Sequence, residues 1–371
     1  MPQDLKLLPK TAAESQMKKL AVRSRHVNLF LGAGASKACG LPTITELRDR
    51  VLAAIPGDLK ASADFCFDGN RTLEHGLSRL RRMRSLLSDG VTITAIDVDT
   101  AQRLDEIICT TIVELLNDSE ANIEPYRRLA AWLNAQEYLK PIEVFTVNYD
   151  LLLEHGLESE SVHYFDGFVG SLTARFRADL VDILTDVARS LPPSCVRLWK
   201  LHGSISWAYK TFETIEEIVR TGGPVHAAAA LFPSDEKYVE SRRVPFVVLA
   251  DRLRRALDVP ESMTIVNGYG FGDDHLNELL FDAARLHPRS EIWVTCFGDV
   301  PKALEKNAIL YPNIVVHGAT RAIVGGRDLA WQDEPLSHVY AGQCLLGNFS
   351  ELTYLLLSSN EADDDDKSKG N

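Results

Sequence analysis

Several functional classes are excluded by what the sequence lacks. Its six cysteines (Cys39, Cys66, Cys109, Cys195, Cys296 and Cys344) are scattered, and no two stand in a C-x-x-C spacing that would suggest a zinc site or a redox pair. They are expected to be reduced and mostly buried. Apolar runs such as Pro245 to Ala250 fall far short of the roughly 20 residues a membrane span requires, so no transmembrane helix is expected. The opening MPQDLKLLPKTAAESQMKKL mixes charges of both signs and lacks an apolar core, unlike a secretory signal, and a cytoplasmic location is expected. Positive charge is also scarce, with 40 Lys and Arg against 52 Asp and Glu and a formal net charge of -12. Such a balance opposes binding to phosphate backbones, so direct nucleic-acid binding is not expected, despite the local run Arg79, Arg81, Arg82 and Arg84. The tail EADDDDKSKGN carries five acids and two lysines, and residues 359–371 are expected to be disordered.

What is present is an ordinary globular composition, 371 residues at 45% hydrophobic and 25% charged, enough for one large domain or two modest ones. Val27 to Leu31 is a short apolar run that ends at Gly32, the pattern of a buried strand entering a glycine turn. Strand character returns at Glu143 to Val147, Val196 to Leu201, Met263 to Asn267, Glu291 to Cys296 and Asn313 to His317, each run rich in Val, Ile, Phe or Trp. Between the first two strands, TLEHGLSRLRRMRSLL and AQRLDEIICTTIVELL repeat leucine and isoleucine at helical spacing, and a third helix is expected over Tyr126 to Gln136. Further helices are expected at Phe246 to Leu257 and Asp274 to Leu286. Strands alternating with helices predict a doubly wound, mostly parallel Rossmann-like α/β sheet with an inserted helical subdomain at about 45–140.

Four polar motifs fall on strand ends, where an open α/β sheet binds its ligands. Gly32, Gly34 and Ser36 lie where a strand turns into a helix, and glycine there lets backbone NH groups approach an anion. The turn is neither a complete G-x-G-x-x-G nor a Walker loop, since no G-K-[ST] follows. FTVNYDLLLEHG puts Asn148 and Asp150 just past the next strand, although Asn148 also suits a helix N-cap before Leu151 to Leu153. VRLWKLHGSISW places His202 and Gly203 after another. NGYGFGDDHLNELL supplies a second glycine turn, with Asp273 or Asp274 placed to cap the helix that follows. Two glycine turns on separate strand ends suit the two ends of a long phosphate-bearing ligand such as a dinucleotide.

In this order the motifs resemble the sirtuin superfamily: GAGAS at Gly32 to Ser36 with GLP at Gly40 to Pro42, NYD at Asn148 to Asp150, HG at His202 and Gly203, and GYGFGDDHLN at Gly268 to Asn277. The resemblance covers roughly residues 25 to 300 and is nearer to the sirtuin-like NAD-degrading effectors of anti-phage defence than to the protein deacylases. Deacylases carry paired C-x-x-C motifs between HG and the later glycine turn, and here no cysteine lies between His202 and Gly268. The family's NID is NYD, and its P-x-F-R is PTITEL, departures that fall where the family holds nicotinamide. The long interval between Asn148 and His202 predicts a helix-rich insertion over Ala174 to Ser190.

The resemblance implies an NAD+ glycohydrolase with NAD as substrate and no metal. It implies that Gly32, Ala33, Gly34 and Ser36 hold the pyrophosphate side, that Thr146 also contributes to NAD binding, that Gly268, Tyr269, Gly270 and Phe271 line the adenosine end, and that Asp150 meets the nicotinamide carboxamide. Asn148 then orients the ribose or the attacking water, and His202 acts as general base. It implies further a homo-oligomer gated by assembly or by a HerA-like P-loop ATPase partner. Residues 1–24 form an N-terminal extension, 25–320 the catalytic domain, and 321–358 a packing or assembly segment that includes the apolar Phe349 to Leu357. A protein deacylase or ADP-ribosyltransferase, and a non-catalytic NAD or ADP-ribose sensor, are the competing functions.

Overall fold

The structure is a computed structural model that describes the chain apart from residues 1–5, 8, 23, 69–71, 88–91, 94–95, 182–194, 226–243, 333–343 and 369–371. Its centre is a sheet of ten strands: β1 (Lys6–Leu7), β2 (Val27–Leu31), β3 (Glu143–Thr146), β4 (Tyr164–Phe165), β7 (Val196–Lys200), β10 (Met263–Asn267), β11 (Glu291–Thr295), β12 (Ile314–His317), β13 (Arg321–Val324) and β14 (Arg327–Trp331). The spatial order is β1-β14-β13-β12-β11-β10-β2-β3-β7-β4, and every pairing from β12 through β4 is parallel. Taking β2, β3, β7, β10, β11 and β12 in chain order, the run reads 3-2-1-4-5-6, the Rossmann order. Progression reverses between β2 and β10, which pair directly, so a ligand crevice is expected at their carboxyl ends.

These strands form because both faces are covered, and their residues alternate between two cores with the period of two that a pleat imposes. Leu29, Leu31, Val144, Leu198 and Ile265 enter one core, while Phe30, Phe145, Trp199 and Val266 enter the other. The first core is roofed by helices inserted between β2 and β3: Ile44–Ala54, Lys60–Cys66, Leu73–Leu86, Val98–Leu116 and Glu124–Asn134. The first opens on a capping box, Thr43 with Glu46. The last starts two residues before the expected Tyr126 because Pro125 stands in its first turn, where its missing NH is harmless. Helices Phe246–Leu257 and Asp274–Leu286 cover the second face, at the bounds the sequence predicts.

A smaller antiparallel sheet of β5 (Phe168–Val169), β6 (Ala174–Phe176), β9 (Ile215–Arg220) and β8 (Trp207–Phe212) corrects the start of the helix-rich reading of Ala174 to Ser190, at Ala174–Phe176. Ala174 is buried while Arg175 is exposed, an alternation that fits a pleat, and Phe176 stacks edge-on with Phe168 at 5.2 Å. Residues 178–181 are helical, and 182–190 lie outside the described residues. At the other edge, β13 and β14 extend the main sheet, so the boundary expected at 320/321 falls inside it. The closing helix Phe349–Ser368 docks through buried Phe349, Leu352 and Leu356, and its backbone stays helical to Ser368, over an acidic run expected to be disordered. All six cysteines are free and buried. Among the described residues no helix is long and apolar enough to cross a membrane.

Candidate active site

Register brings the four motifs to one edge. Leu31 pairs with both Asn267 and Thr146, and Thr146 pairs with Lys200, so the turns after β2, β10, β3 and β7 emerge side by side. Parallel strands all present their carboxyl ends here.

The two glycine turns interlock. Gly32 NH donates to Asn267 O at 3.0 Å and Gly34 NH to Gly268 O at 2.9 Å. A Cβ on Gly32 would lie 2.5 Å from Gly268 O, and one on Gly34 2.7 Å from Gly268 Cα. Gly268 itself holds φ +69, a left-handed conformation that disfavours side chains. Glycine at these places is therefore required by turn-on-turn contact. The NH groups of Gly34 and of Ala35, which donates to Gly32 O at 3.0 Å, are already committed inside the protein. Gly270 differs: a Cβ there meets nothing within 4 Å, and the residue lines an open cavity.

Beneath the turns lies a buried polar network. Asn148 Nδ2 donates to Gly32 O at 3.0 Å and to Ser36 Oγ at 2.9 Å, and Ser36 Oγ donates to Asp150 Oδ2 at 2.7 Å. The other Asp150 oxygen accepts from Leu152 NH at 3.1 Å, a local turn ahead of the helix, whose N-cap is Leu151 with no side-chain cap, so the capping role considered for Asn148 is not one it plays. Asn148 is 7% exposed, and its Oδ1 is buried with no hydrogen-bond partner among the described residues. An unpaired amide oxygen of this kind is costly unless something else donates to it. Thr146 sits lower, its hydroxyl donating to Leu31 O and accepting from Asn148 NH.

Three participants were not visible as such in the motifs. Tyr126, from the helical insertion, brings its hydroxyl 3.2 Å from Ser36 Oγ, and burial together with the charge of Asp150 pushes its pKa well up, so it stays protonated. Lys200, at the end of β7, is 4% exposed and donates to Asp150 O and to Glu154 Oε1, bracing the loop that carries Asn148. Glu74 lies in the first turn of helix Leu73–Leu86 and accepts from the Tyr149 hydroxyl at 3.0 Å. In sequence only the leucine spacing of that helix is informative, and Glu74 has the place of an ordinary first-turn acid.

His202 stands between two carboxylates, with Nε2 3.3 Å from Asp273 Oδ2 and Nδ1 3.8 Å from Glu74 Oε1. Gly203 follows at φ +97 and turns the chain sharply back from the strand end. Asp273, not Asp274, is the N-cap of the next helix. Phe271 points away from this arrangement. It is 7% exposed and packs its ring against Tyr269 and Phe281.

These groups enclose a cavity of about 480 Å³. Ala33, Gly34, Ser36, Asn148, Asp150, His202, Gly268, Tyr269 and Gly270 line it, whereas Gly32, Thr146 and Phe271 lie behind its wall. The helical insertion supplies the facing wall, including Thr43, Leu47 and Glu74. Among the described lining residues are three carboxylates (Glu74, Asp150 and Asp273) and two imidazoles, with no Lys or Arg. A wider cleft of about 810 Å³ opens on the small antiparallel sheet, but its arginines are already paired, Arg175 with Glu217 and Arg177 with Asp179. Convergent polar groups make the smaller cavity the candidate site.

Residues 142–312 match the family model of the SIR2-like domain. The matched stretch holds Asn148, Asp150, His202 and the Gly268 to Asp273 turn, and the fold is sirtuin-like. The Gly32 turn and the helical insertion precede it. No curated protein matches the chain.

Proposed function

We propose, from the premise that residues 142–312 form a SIR2-like domain in a sirtuin-like fold, that this cavity hydrolyses NAD+ to nicotinamide and ADP-ribose. A SIR2-like domain points to NAD chemistry, and the single observation that supports hydrolysis best is the cavity itself. Asn148 and His202 arrive from two different strand ends to line one space that also holds three carboxylates and no described Lys or Arg.

Cleavage of the bond between C1′ and the pyridinium nitrogen sends its electron pair to nicotinamide, which leaves neutral, and positive charge develops on the ribose. Carboxylates in a sheltered site favour that charge, while the uncharged amide of Asn148 adds directional hydrogen bonding. Its unpartnered Oδ1 is suited to accept from a ribose hydroxyl or from the attacking water. Water then forms the new bond to C1′, and its proton passes to His202.

Such a reaction, uncontrolled, would empty a cell of NAD. In this reading the activity serves anti-phage defence and is gated by self-assembly or by a HerA-like P-loop ATPase partner. The test is to incubate the purified protein, alone and with candidate partners, with NAD+ and no acylated peptide. Nicotinamide and ADP-ribose should appear in equal amounts. Release that requires acylated peptide, or NAD recovered intact under every condition, overturns hydrolysis; full activity in the isolated monomer overturns gating.

A further inference from the structure

The Asp273 side chain caps a helix, and one of its contacts lies outside what a cap explains. Its Oδ1 accepts from the NH groups of His275 and Leu276 at 2.9 and 3.2 Å, fixing the start of helix Asp274–Leu286. Two bonds to one oxygen leave the second with little freedom. That second oxygen, Oδ2, lies 3.3 Å from Nε2 of His202, which comes from a different strand end. Serine, threonine or asparagine would cap the helix as well as aspartate does. Only a carboxylate can cap it and also present a charged acceptor to the imidazole.

We propose that Asp273 is the positioning residue of His202, an inference that rests on the NAD-hydrolysing reading above. An acceptor at Nε2 keeps the ring proton on that nitrogen and leaves Nδ1 with the lone pair, in the manner of a carboxylate that orients a general base. Nδ1 is then the atom that takes the proton of the attacking water as oxygen bonds to C1′, and the electron pair of the broken bond leaves with nicotinamide. The imidazolium formed lies between Asp273 at Nε2 and Glu74 at Nδ1. Glu74, at 3.8 Å, is outside hydrogen-bond reach in this state and acts through its charge, while the Tyr149 hydroxyl holds its carboxylate.

Two substitutions separate this role from capping. Asp273→Ser retains a capping oxygen and removes the contact to His202. Asp273→Asn also caps, but turns an amide NH2 toward Nε2 and drives the ring proton to Nδ1. The ring nitrogens of His202 are read by nitrogen NMR in protein labelled at histidine, the resonances being identified by their loss in His202→Gln. The wild type should show the Nε2-protonated form, Asp273→Asn the Nδ1-protonated form, and Asp273→Ser a mixture. NAD hydrolysis by Asp273→Asn should fall about 100-fold or more in kcat, with KM nearly unchanged and an altered pH profile. Identical nitrogen shifts in all three proteins, or wild-type kcat and pH profile in both variants, would overturn the proposal. Should Asp273→Asn fail to fold, Asp273→Ser decides on the same two readouts. If the wild type releases no nicotinamide under any condition, the hydrolase reading fails while the nitrogen shifts still decide the pairing.

Discussion

Gly34 and Gly268 lie in direct backbone contact, the NH of one donating to the carbonyl of the other at 2.9 Å, with no room for a Cβ between them. The two loops that begin the crevice are thus a single packed unit. Gly34→Ala or Gly268→Ala should destabilise the fold by about 3 kcal/mol, from overpacking in the first case and from overpacking plus a strained backbone in the second. Gly270→Ala should leave the unfolding midpoint unchanged because that Cβ meets open space, yet it should lower NAD turnover if ligand passes over the turn. Urea titrations beside a nicotinamide-release assay separate the two effects.

Asn148→Ala should reduce kcat for NAD hydrolysis by about 100-fold or more, the scale of a lost transition-state contact. The variant also strips the donor from Gly32 O and Ser36 Oγ, so a stability loss of about 1–2 kcal/mol should accompany it. Tyr126→Phe removes a neighbouring hydroxyl from the same network while the amide itself is retained. Turnover of Tyr126→Phe should stay within about tenfold of wild type. If both variants lose activity equally, the network as a whole and not the amide is what matters.

Acid should unfold the protein in two stages. Burial pushes the His317 pKa down to about 3, so the folded state excludes a proton that the unfolded chain binds below about 6.5. Its contribution is full above that value and is lost as pH falls toward 3, at about 1.4 kcal/mol per pH unit. Glu143 follows: burial raises its pKa, but hydrogen bonds from His26 and Arg252 outweigh this and hold it at about 2. Its stabilisation is present above about 4.5 and disappears toward pH 2. His317→Gln should flatten the stability profile between pH 6.5 and 4.5. Glu143→Gln should cost about 3–5 kcal/mol at pH 7, because it leaves Arg252 without its buried carboxylate, and the gap to wild type should narrow by pH 3. Chemical denaturation across pH measures both.

The sheet was legible because β2, β3, β7 and β10 are buried along their whole length and are dense in Val, Ile, Leu, Phe and Trp, with only isolated polar residues between them. The strand-end motifs were legible for the same reason, since each follows a strand whose end was plain. Partners reached through space were not. Nothing near Tyr126 announces a contact with Ser36, ninety residues away in sequence, and Glu74 resembles any acid in a helix's first turn. The glycines were assigned to an anion, but Gly32, Gly34 and Gly268 are spaced for one another, which a single strand of sequence does not encode. The antiparallel sheet was missed because β5 and β6 are only two and three residues long, and β8 and β9 are half exposed and broken by Lys, Glu and Arg, so neither carries a clear apolar period.

The closing helix should be integral to the catalytic body. Phe349 is 1% exposed and its ring centroid lies 4.8 Å from that of Tyr126, while Arg128 donates to Ser350 at its carbonyl and hydroxyl oxygens. Tyr126 in turn touches Ser36, which touches Asp150. Phe349→Ala should therefore cost about 3–5 kcal/mol through the cavity it leaves. It should also loosen the Tyr126 ring, so turnover should fall further than the folded fraction does. Phe349→Leu, which keeps most of the volume, should restore both. A loss below 1 kcal/mol in Phe349→Ala, measured by urea unfolding, would mean that the helix is not docked in solution as it is here. Wild-type turnover per folded molecule in a variant that is destabilised as expected would instead mean that Tyr126 holds its place through Ser36 alone.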